Sequence, residues 1–412
     1  MPAPSSPALP RRQIDRRSLL LTLAATAAAP RLALGRSGRS LLSFGARGDG
    51  ISDDTAAIAR AVASGVSVDG GGRTYGISGP LSAGPAFRGL SNCTLRQLAR
   101  IDRLRTLEIR GASGFAMADV QVIRGGQNDE VLIQRDMQSN AGLWIEDCSA
   151  FHLDRVRVRG GGIGTGLVIA SCRGFQVADA QVSGIRYQLK ARPRDDMLQG
   201  IWINRCSGFE LIRPVAGDLG GQDEQGFSRD NNRAIAISGS SIFRVRDPQV
   251  SQCGQGLDVT GSEGDHDFQI VGGHASDCAT WGFKLANSAQ RVRVSGALAE
   301  RCGLGGFVAS GPSEGTDPLP VDLEFADCRA IDCGTPRVDR TMFGFGVLRS
   351  STHPDYPRRV RFLRCTAIDR RRPAGMKWGF FNEIPETPGE LNTVEGCSVS
   401  GPRISDYEGF GR

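Results

Sequence analysis

The feature that most restricts the fold of this chain is a short unit, Gly-apolar-x-apolar, which recurs nine times at intervals of 22 to 38 residues. The units are GLWI at 142, GLVI at 166, GIWI at 200, AIAI at 234, GLDV at 256, GFKL at 282, GFVA at 306, GFGV at 344 and GFFN at 379. Their alternation of inward and outward residues is typical of a half-buried strand. One such strand cannot bury its apolar face alone, so the repeat predicts a solenoid of stacked coils.

Each unit is followed by two further apolar segments, such as FHL at 151 and VRV at 156, or FQV at 175 and AQV at 180. Three short strands per coil predict an all-β, right-handed, single-stranded parallel β-helix of about 10–12 coils over residues 71–412. Helical repeats are excluded, since they need segments of about ten or more residues with a period of 3.6, and none is present.

A different pattern occupies residues 44–63, FGARGDGISDDTAAIARAVA. Asp53 and Asp54 stand where N-cap side chains belong, and Ile58, Ala61 and Val62 share one helical face. The end of a solenoid exposes core and strand edges unless another element covers it. We therefore expect a cap at residues 40–70, in which a short helix covers the first coil.

The residues Phe44-Gly45-Ala46-x-Gly48-Asp49-Gly50-x-x-Asp53-Asp54-Thr55-x-Ala57-Ile58 resemble the opening motif of the pectate-lyase-like β-helix superfamily. That superfamily includes pectate lyases, polygalacturonase relatives, uronan epimerases and phage tailspike depolymerases. The resemblance, extended by the repeats, covers roughly residues 40–400 and implies a polymer bound along the first strand of each coil. It implies less about activity, because function belongs to sites rather than to folds.

Residues 1–35 indicate export. Arg16-Arg17-Ser18-Leu19-Leu20 precedes an apolar stretch that ends at Ala29 and is too short to span a bilayer. The segment resembles a twin-arginine signal peptide, which implies recognition by the twin-arginine translocase and a periplasmic or secreted protein. The chain contains no run of 18 or more apolar residues, so we expect no membrane span.

Eleven cysteines in an exported chain suggest disulfides at first sight. However, Cys148, Cys172 and Cys206 each lie six residues after the glycine of a unit, and Ser240, Ser262 and Ser288 take that position in later coils. We therefore predict a ladder of reduced, buried thiols. No CxxC spacing supports a zinc site.

Three insertions, at 183–199, 217–233 and 330–343, fall just before units of the first strand, and long loops on a rigid scaffold are where sites are built. The third residues of the units should form one outward row that includes Trp144, Trp202, Asp258 and Lys284. The other two tryptophans, Trp281 and Trp378, directly precede their units. All four rings thus map to one face, where aromatic platforms suit the apolar faces of sugars.

Positive charge maps to the same face. Only three lysines exist, Lys190, Lys284 and Lys377, and each falls on this strand or in the loop before it. With a net charge of +6, a basic groove favours an acidic polysaccharide. Nucleic acid is disfavoured because no basic run is interleaved with aromatics. The predicted substrate-binding residues are Trp144, Trp202, Trp281, Trp378, Arg229, Arg233 and Arg192.

Cleavage of a uronic-acid-containing glycan by β-elimination is the leading prediction. Cations that neutralise the sugar carboxylate acidify the C5 proton, and a side-chain base removes it. Lys284, Lys190 or Tyr187 would be the base, and Arg229 or Arg233 would hold the carboxylate. The competing interpretation of Lys284 is a surface ion pair with Asp258, one coil away.

Two alternatives remain open: a glycoside hydrolase with paired carboxylates on the same face, and a non-catalytic β-helix that binds glycan or cell-surface material. The predicted carboxylates for hydrolysis are Asp218, Asp223, Glu224, Asp230 and Asp258, in coils spaced by about 4.8 Å. The polygalacturonase motifs are missing. Gly264-Asp265-His266-Asp267 is similar to the Asp-Pro-His-Asp motif of epimerases but lacks its proline. No cofactor is assigned, and loop carboxylates leave Ca²⁺ open.

Overall fold

The computed structural model describes residues 38–98, 105–125, 140–161, 164–189, 199–223, 232–262, 268–311, 320–335, 342–349, 356–383 and 391–410. The described residues form 34 strands, one α-helix (α1, Thr55–Ala63) and one 3-10 helix (Leu41–Phe44). Each strand pairs in parallel with the corresponding strand of the next coil, so the predicted all-β parallel β-helix is confirmed. None of the described helices has the length and apolar character needed to span a bilayer.

The Gly-apolar-x-apolar units form the first column of strands, which we call stack I. Its strands are β4 (Leu81–Ala83), β6 (Leu107–Arg110), β8 (Ala141–Glu146), β11 (Thr165–Ala170), β14 (Gln199–Asn204), the first half of β17 (Arg233–Arg246), β19 (Gln255–Ser262), β22 (Trp281–Ala286), β25 (Gly305–Ser310), β28 (Phe343–Leu348), β31 (Trp378–Asn382) and β34 (Ser405–Glu408). Alternate side chains point into one continuous core because coils stack in register.

The second apolar segment of each coil forms stack II. Its strands are β1 (Arg39–Ser40), the first parts of β3 (Val68–Ile77), β5 (Gly89–Gln97) and β7 (Ala116–Arg124), then β9 (His152–Asp154), β12 (Arg173–Ala178), β15 (Ser207–Ile212), the second half of β17, β20 (Phe268–Val271), β23 (Val292–Ser295), β26 (Glu324–Ala326), β29 (Arg361–Leu363) and β32 (Thr393–Glu395). Inside it, six phenylalanines from Phe115 to Phe268 stack at centroid distances of 4.7–5.3 Å. These rings bind the coils to one another along the core.

The third segment forms stack III. Its strands are β2 (Asp49–Asp53), the second parts of β3, β5 and β7, then β10 (Arg157–Gly160), β13 (Gln181–Leu189), β16 (Val215–Asp223), β18 (Gln249–Ser251), β21 (His274–Ser276), β24 (Leu298–Glu300), β27 (Arg329–Ile331), β30 (Thr366–Ile368) and β33 (Ser398–Ser400). Strands β13 and β16 stay paired as far as Leu189 and Asp223. The first two predicted insertions therefore begin as a prolonged strand pair.

The cysteine ladder is confirmed. The amide of Cys148 donates to Cys172 Sγ at 3.3 Å, Cys172 to Cys206 Sγ at 3.4 Å, and Cys206 to Ser240 Oγ at 3.1 Å. All eleven cysteines are free thiols, and ten of them are buried. The sulfur at this turn accepts a backbone hydrogen bond that would otherwise go unmade, which is why serine can take the same place.

The predicted N-terminal helix is present as α1, but its capping differs from the expectation. Asp54 is the N-cap residue, yet its buried carboxylate accepts from the amides of Arg47 (2.6 Å) and Gly48 (3.1 Å) rather than from the helix. Asp53 instead accepts from the Thr55 amide at 3.0 Å. The Asp-Asp pair thus joins the helix start to the loop before it, while Ile58, Ala61 and Val62 are buried as predicted.

The turns that lead into stack II, those that connect stacks II and III, and those that follow stack III carry aspartates and, in most cases, arginines at positive φ in successive coils. In six pairs, an arginine of one coil holds an aspartate of the previous coil through Nε and Nη2. The pairs, which we call the turn clamps, are Arg155–Asp119, Arg213–Asp179, Arg301–Asp277, Arg359–Asp322, Arg364–Asp327 and Arg370–Asp332. In the first five pairs the two nitrogens bind different oxygens; in Arg370–Asp332 both bind Oδ2, and the Arg370 backbone amide donates to Oδ1. Both oxygens of each carboxylate are therefore occupied.

Candidate functional site

The outward row predicted on stack I is present with the predicted register. Consecutive partners across the coils run Glu108, Trp144, Val168, Trp202, Ala236, Asp258, Lys284, Val308, Gly346, Phe381 and Glu408. The residue directly before each unit also faces outward, because the first residue of the unit, in most coils a glycine, turns inward beside it. These residues include Gln199, Arg233, Gln255 and Trp281. Side chains from different coils therefore lie next to one another on this face.

Much of this row is covered rather than open, which corrects the expectation of an exposed groove. Val168, Ala236, Asp258 and Val308 are 0% exposed although they point away from the core. Trp144 is 8% exposed, because the Arg105 guanidinium lies 3.5 Å from its ring centroid and its Nε1 donates to Glu146. Trp144 packs with Val168 and the half-buried Trp202 in a small apolar cluster and offers no free ring face.

A charged cluster occupies the middle of the row. Asp258 Oδ2 lies 2.7 Å from Arg233 Nε of the previous coil and 3.8 Å from Lys284 Nζ of the next coil. Lys284 Nζ also donates to Gln255 Oε1 at 3.4 Å. The arginine and lysine side chains are 13% and 16% exposed, so this is a buried carboxylate under two partly accessible cations and not a surface ion pair.

The cluster is incompletely satisfied. Although Arg233 Nε is close to Asp258, its N–H is not aligned, and neither carboxylate oxygen has a hydrogen bond with good geometry. Gln199 Oε1, in the strand before Arg233, is also buried without a hydrogen-bond partner in the described part of the chain. Buried polar atoms normally find partners, so these exceptions need an explanation, and a catalytic or ligand-binding role is one.

Charge in the cluster is unbalanced as well. Two cations face one carboxylate while Lys284 is protonated. Burial has the largest effect on the pKa of Lys284 and lowers it. Asp258 raises this pKa and Arg233 lowers it further, so that it lies below the usual lysine range. A lysine with a lowered pKa has more of the neutral amine that a general base requires.

Four aromatic rings follow the cluster on the same face. The Phe343 ring stacks on Trp281 (centroids 5.4 Å apart) and on Phe381 (6.0 Å), and Trp378 lies 4.7 Å from Phe381. The ring of Phe343 lies flat over the backbone of stack I, because Gly305 and Gly346 leave it room: a Cβ at either glycine would come within 2.7 Å of it. We call these four residues the aromatic strip.

The structure brings together some of the predicted site residues and leaves others undescribed. Arg233, Asp258 and Lys284 converge, with Trp202 on one side and Trp281 and Trp378 on the other. Lys190, Arg192, Arg229, Asp230 and the 264–267 motif lie outside the described residues. Tyr187 and Asp223 are described only in the backbone of β13 and β16.

The predicted role of Asp258 changes. Because its side chain is 0% exposed, it cannot contact a sugar in this arrangement, and both of its ion-pair partners are cations rather than a second carboxylate. Hydrolysis through Asp258 is therefore disfavoured. Within the described residues, no group of three or more His, Cys, Asp or Glu is arranged to hold a metal ion. The calcium expectation thus has no described ligand set.

Three residues of this face were not singled out from the sequence. Gln199, Gln255 and Phe343 occupy the outward position just before the glycine of a unit, or its equivalent. The signal was available: Trp281 and Trp378 stand at the same position, and a glutamine recurs there in two coils. The residue directly before each unit therefore forms a second aligned position in the repeat.

Comparisons with known proteins agree with the fold. No family model and no curated protein matches the chain. Among solved structures, the A-module of the Azotobacter vinelandii mannuronan C-5 epimerase AlgE4 is similar with a TM-score of 0.61 at 14% identity, over 91% of this chain and 100% of that one. The AlgE6 A-module of the same organism gives 0.58 at 15% identity, over 90% and 98%. The Dettilon tailspike protein gives 0.56 at 13% identity, over 87% and 68%. These likenesses show the parallel β-helix fold.

Proposed function

We propose that this protein is an exported enzyme that cleaves an acidic, uronic-acid-containing polysaccharide by β-elimination on the outward face of stack I. The observation that carries the proposal is the buried Arg233–Asp258–Lys284 cluster, in which two cations share one carboxylate next to a strip of aromatic rings. Three similar folds in the comparison are named as an epimerase module or a tailspike, which supports a glycan as the substrate class.

The cations would act on the sugar carboxylate. The Arg233 side chain is 13% exposed, which lets its guanidinium contact a carboxylate that enters from solvent. Neutralising that carboxylate acidifies the proton on C5 of the same sugar, because the developing negative charge is spread onto the carboxylate.

Lys284 would be the base. Its neutral amine takes the C5 proton, the electron pair forms the C4–C5 double bond, and the C4–O4 glycosidic bond breaks with its electrons going to oxygen, which takes a proton from water. Asp258 contacts no substrate. Its role is to hold the side chains of Arg233, on the coil before it, and Lys284, on the coil after it. Asp258 is therefore a positioning residue.

The aromatic strip would bind the polymer beside the reacting sugar. Trp281 begins the strand of Lys284, and Trp378 and Phe381 continue the strip on a later coil, while the fully buried Phe343 ring supports Trp281 and Phe381 from below. A glycan laid along the solenoid axis meets a new coil every ~4.8 Å. The apolar faces of its sugars can then pack on the accessible rings.

The test is incubation with pectate, alginate and bacterial exopolysaccharides, followed by absorbance of the unsaturated product and by a reducing-end assay. We expect absorbance and reducing ends to rise together. Lys284→Gln and Lys284→Arg should each lower the rate by about 100-fold or more, because arginine keeps the charge but cannot act as a base. Arg293→Gln, on stack II, is the matched control and should leave the rate unchanged.

Each alternative has its own outcome. Reducing ends without unsaturated product would indicate hydrolysis and contradict β-elimination. Exchange of the C5 proton with deuterated water, without cleavage, would indicate epimerisation. Binding without any reaction would leave the passive glycan-binding role.

A further inference from the structure

A second charged surface lies on the outward face of stack III, away from the row described above. A cleft of about 560 Å³ is lined by residues that include Gln121, Arg157, Arg159, Gln181, Ser183 and Asp218. Two of these residues are exposed arginines of β10, and one is acidic. The function proposed for stack I uses none of them.

The two arginines lack the partners that other outward arginines have. On stack II, Arg246 pairs with Glu210 at 2.6 Å and Arg293 with Glu324 at 3.1 Å. Arg157 and Arg159 make no ion pair or hydrogen bond with any described residue. Arg157 is attracted over a longer range to Asp119, but both oxygens of that carboxylate are already held by Arg155.

The neighbours in register are neutral. Arg157 lies between Gln121 and Gln181, and Arg159 lies between Ile123 and Ser183. Two like charges on one face of a strand repel each other. On stack II, a glutamate on the neighbouring strand offsets the charge of such an arginine, and no carboxylate among the described register neighbours does so here. Amide and hydroxyl groups beside the arginines instead supply further donors for an oxyanion.

We propose that this cleft is a second anion-binding site, which takes the carboxylate, sulfate or phosphate groups of a glycan chain. Residues two apart on a strand are about 7 Å apart, so the two guanidinium groups can hold separate charged groups of one chain. A polymer gains from both contacts at once, whereas a free ion gains from one.

Calorimetric titration of the full chain tests the site with four probes: polygalacturonate, dextran sulfate, neutral dextran and inorganic phosphate. We expect the two charged polymers to bind, neutral dextran not to bind, and inorganic phosphate to bind at least about tenfold more weakly. Binding should weaken as the salt concentration is raised from about 0.01 M to about 0.15 M. Equal binding of neutral dextran would overturn the proposal.

The variant Arg157→Gln/Arg159→Gln should remove one class of polymer sites or weaken it by at least about tenfold. The matched control, Arg293→Gln/Arg361→Gln, removes two equally exposed arginines that already pair with glutamates, and it should change affinity by less than about twofold. The proposal fails if the first variant binds like the unmodified protein, or if the control loses as much.

The outcome is independent of the enzyme assay. Loss of binding in Arg157→Gln/Arg159→Gln with no eliminase activity in any preparation would support the second site and refute the proposed function. Eliminase activity that depends on Lys284, with no effect of the double variant on binding, would do the reverse.

Discussion

The turn clamps and the stack I cluster use the same two residue types in opposite ways. In a clamp such as Arg359–Asp322, the guanidinium holds both carboxylate oxygens, at 2.6 and 3.0 Å, on an exposed turn. In the cluster, Asp258 is fully buried, two cations share it, and its oxygens lack well-aligned hydrogen bonds. The clamp is neutral and both of its carboxylate oxygens are hydrogen-bonded. The cluster, by contrast, carries excess positive charge and contains polar atoms without hydrogen bonds.

This difference separates structural from functional charge in a solenoid. Every coil repeats the same turn geometry, so an aspartate and an arginine one coil apart meet by default and satisfy each other. Such pairs are worth little individually because water screens them. The cluster departs from the repeat: it lies on a strand face, in a covered environment, where charge costs more and interacts more strongly.

Removing Arg233 should have the largest effect on activity. Arg233→Gln takes away the charge opposite the sugar carboxylate, and we expect the eliminase rate to fall by about 10²–10³-fold. Because Arg233 lowers the pKa of Lys284, the rising limb of the pH–rate profile should also move to higher pH. Rates measured across pH with the unmodified protein as control would test both effects; a profile that keeps its position would contradict Lys284 as the base.

Of Asp258 and the turn-clamp aspartates, Asp258 should contribute most to the free energy of unfolding. Asp258→Asn leaves Arg233 and Lys284 facing each other without a carboxylate, and we expect a loss of about 3–5 kcal/mol in the free energy of unfolding. The matched change in a turn clamp, Asp322→Asn, should cost about 1 kcal/mol or less. Denaturant unfolding measures both. Equal losses would mean that the cluster is another clamp.

The coils, the outward row and the cysteine positions could be predicted from the sequence because each follows from a local repeat. A period of two fixes which residues face outward, and equal spacing from a glycine fixes which turns align, as Cys148 and Cys172 show. Exposure along the row could not be predicted. Trp144 is covered by Arg105, 39 residues earlier in the chain, and no local pattern reports such a contact.

The burial of Asp258 escaped prediction for the same reason. The sequence places Asp258 and Lys284 in neighbouring coils, and the structure confirms that placement. However, Arg233 reaches Asp258 along a diagonal, from the row before the units to the row of their third residues. Such contacts depend on side-chain length and on the small size of Ala236, the register partner of Asp258. In the sequence, the turn clamps can be recognised as aspartates and arginines at equivalent turn positions. Such pairs indicate no particular chemistry.

Converting the cluster into a balanced pair should affect binding more than stability. Lys284→Met removes the second cation and leaves Arg233 with Asp258. Taking away a buried charge relieves its desolvation, so the free energy of unfolding should stay the same or increase. Affinity for polyuronate oligosaccharides should fall by about tenfold. Calorimetry and denaturant unfolding on the same preparation would test this; a large loss of stability would show that the lysine is part of the scaffold.

A single turn clamp should give the smallest effect, and its pH dependence has a defined sign. Arg213 lowers the pKa of Asp179, so the clamp stabilises the folded state above the unfolded aspartate pKa of about 3.9, and this contribution is lost as the pH falls through the lower folded-state pKa. Asp179→Asn should therefore cost about 1 kcal/mol or less at neutral pH and progressively less below pH of about 4. Unfolding curves of both proteins across this range would converge at acid pH. Curves that stay parallel would show that the Asp179 carboxylate stabilises the turn through something other than its charge.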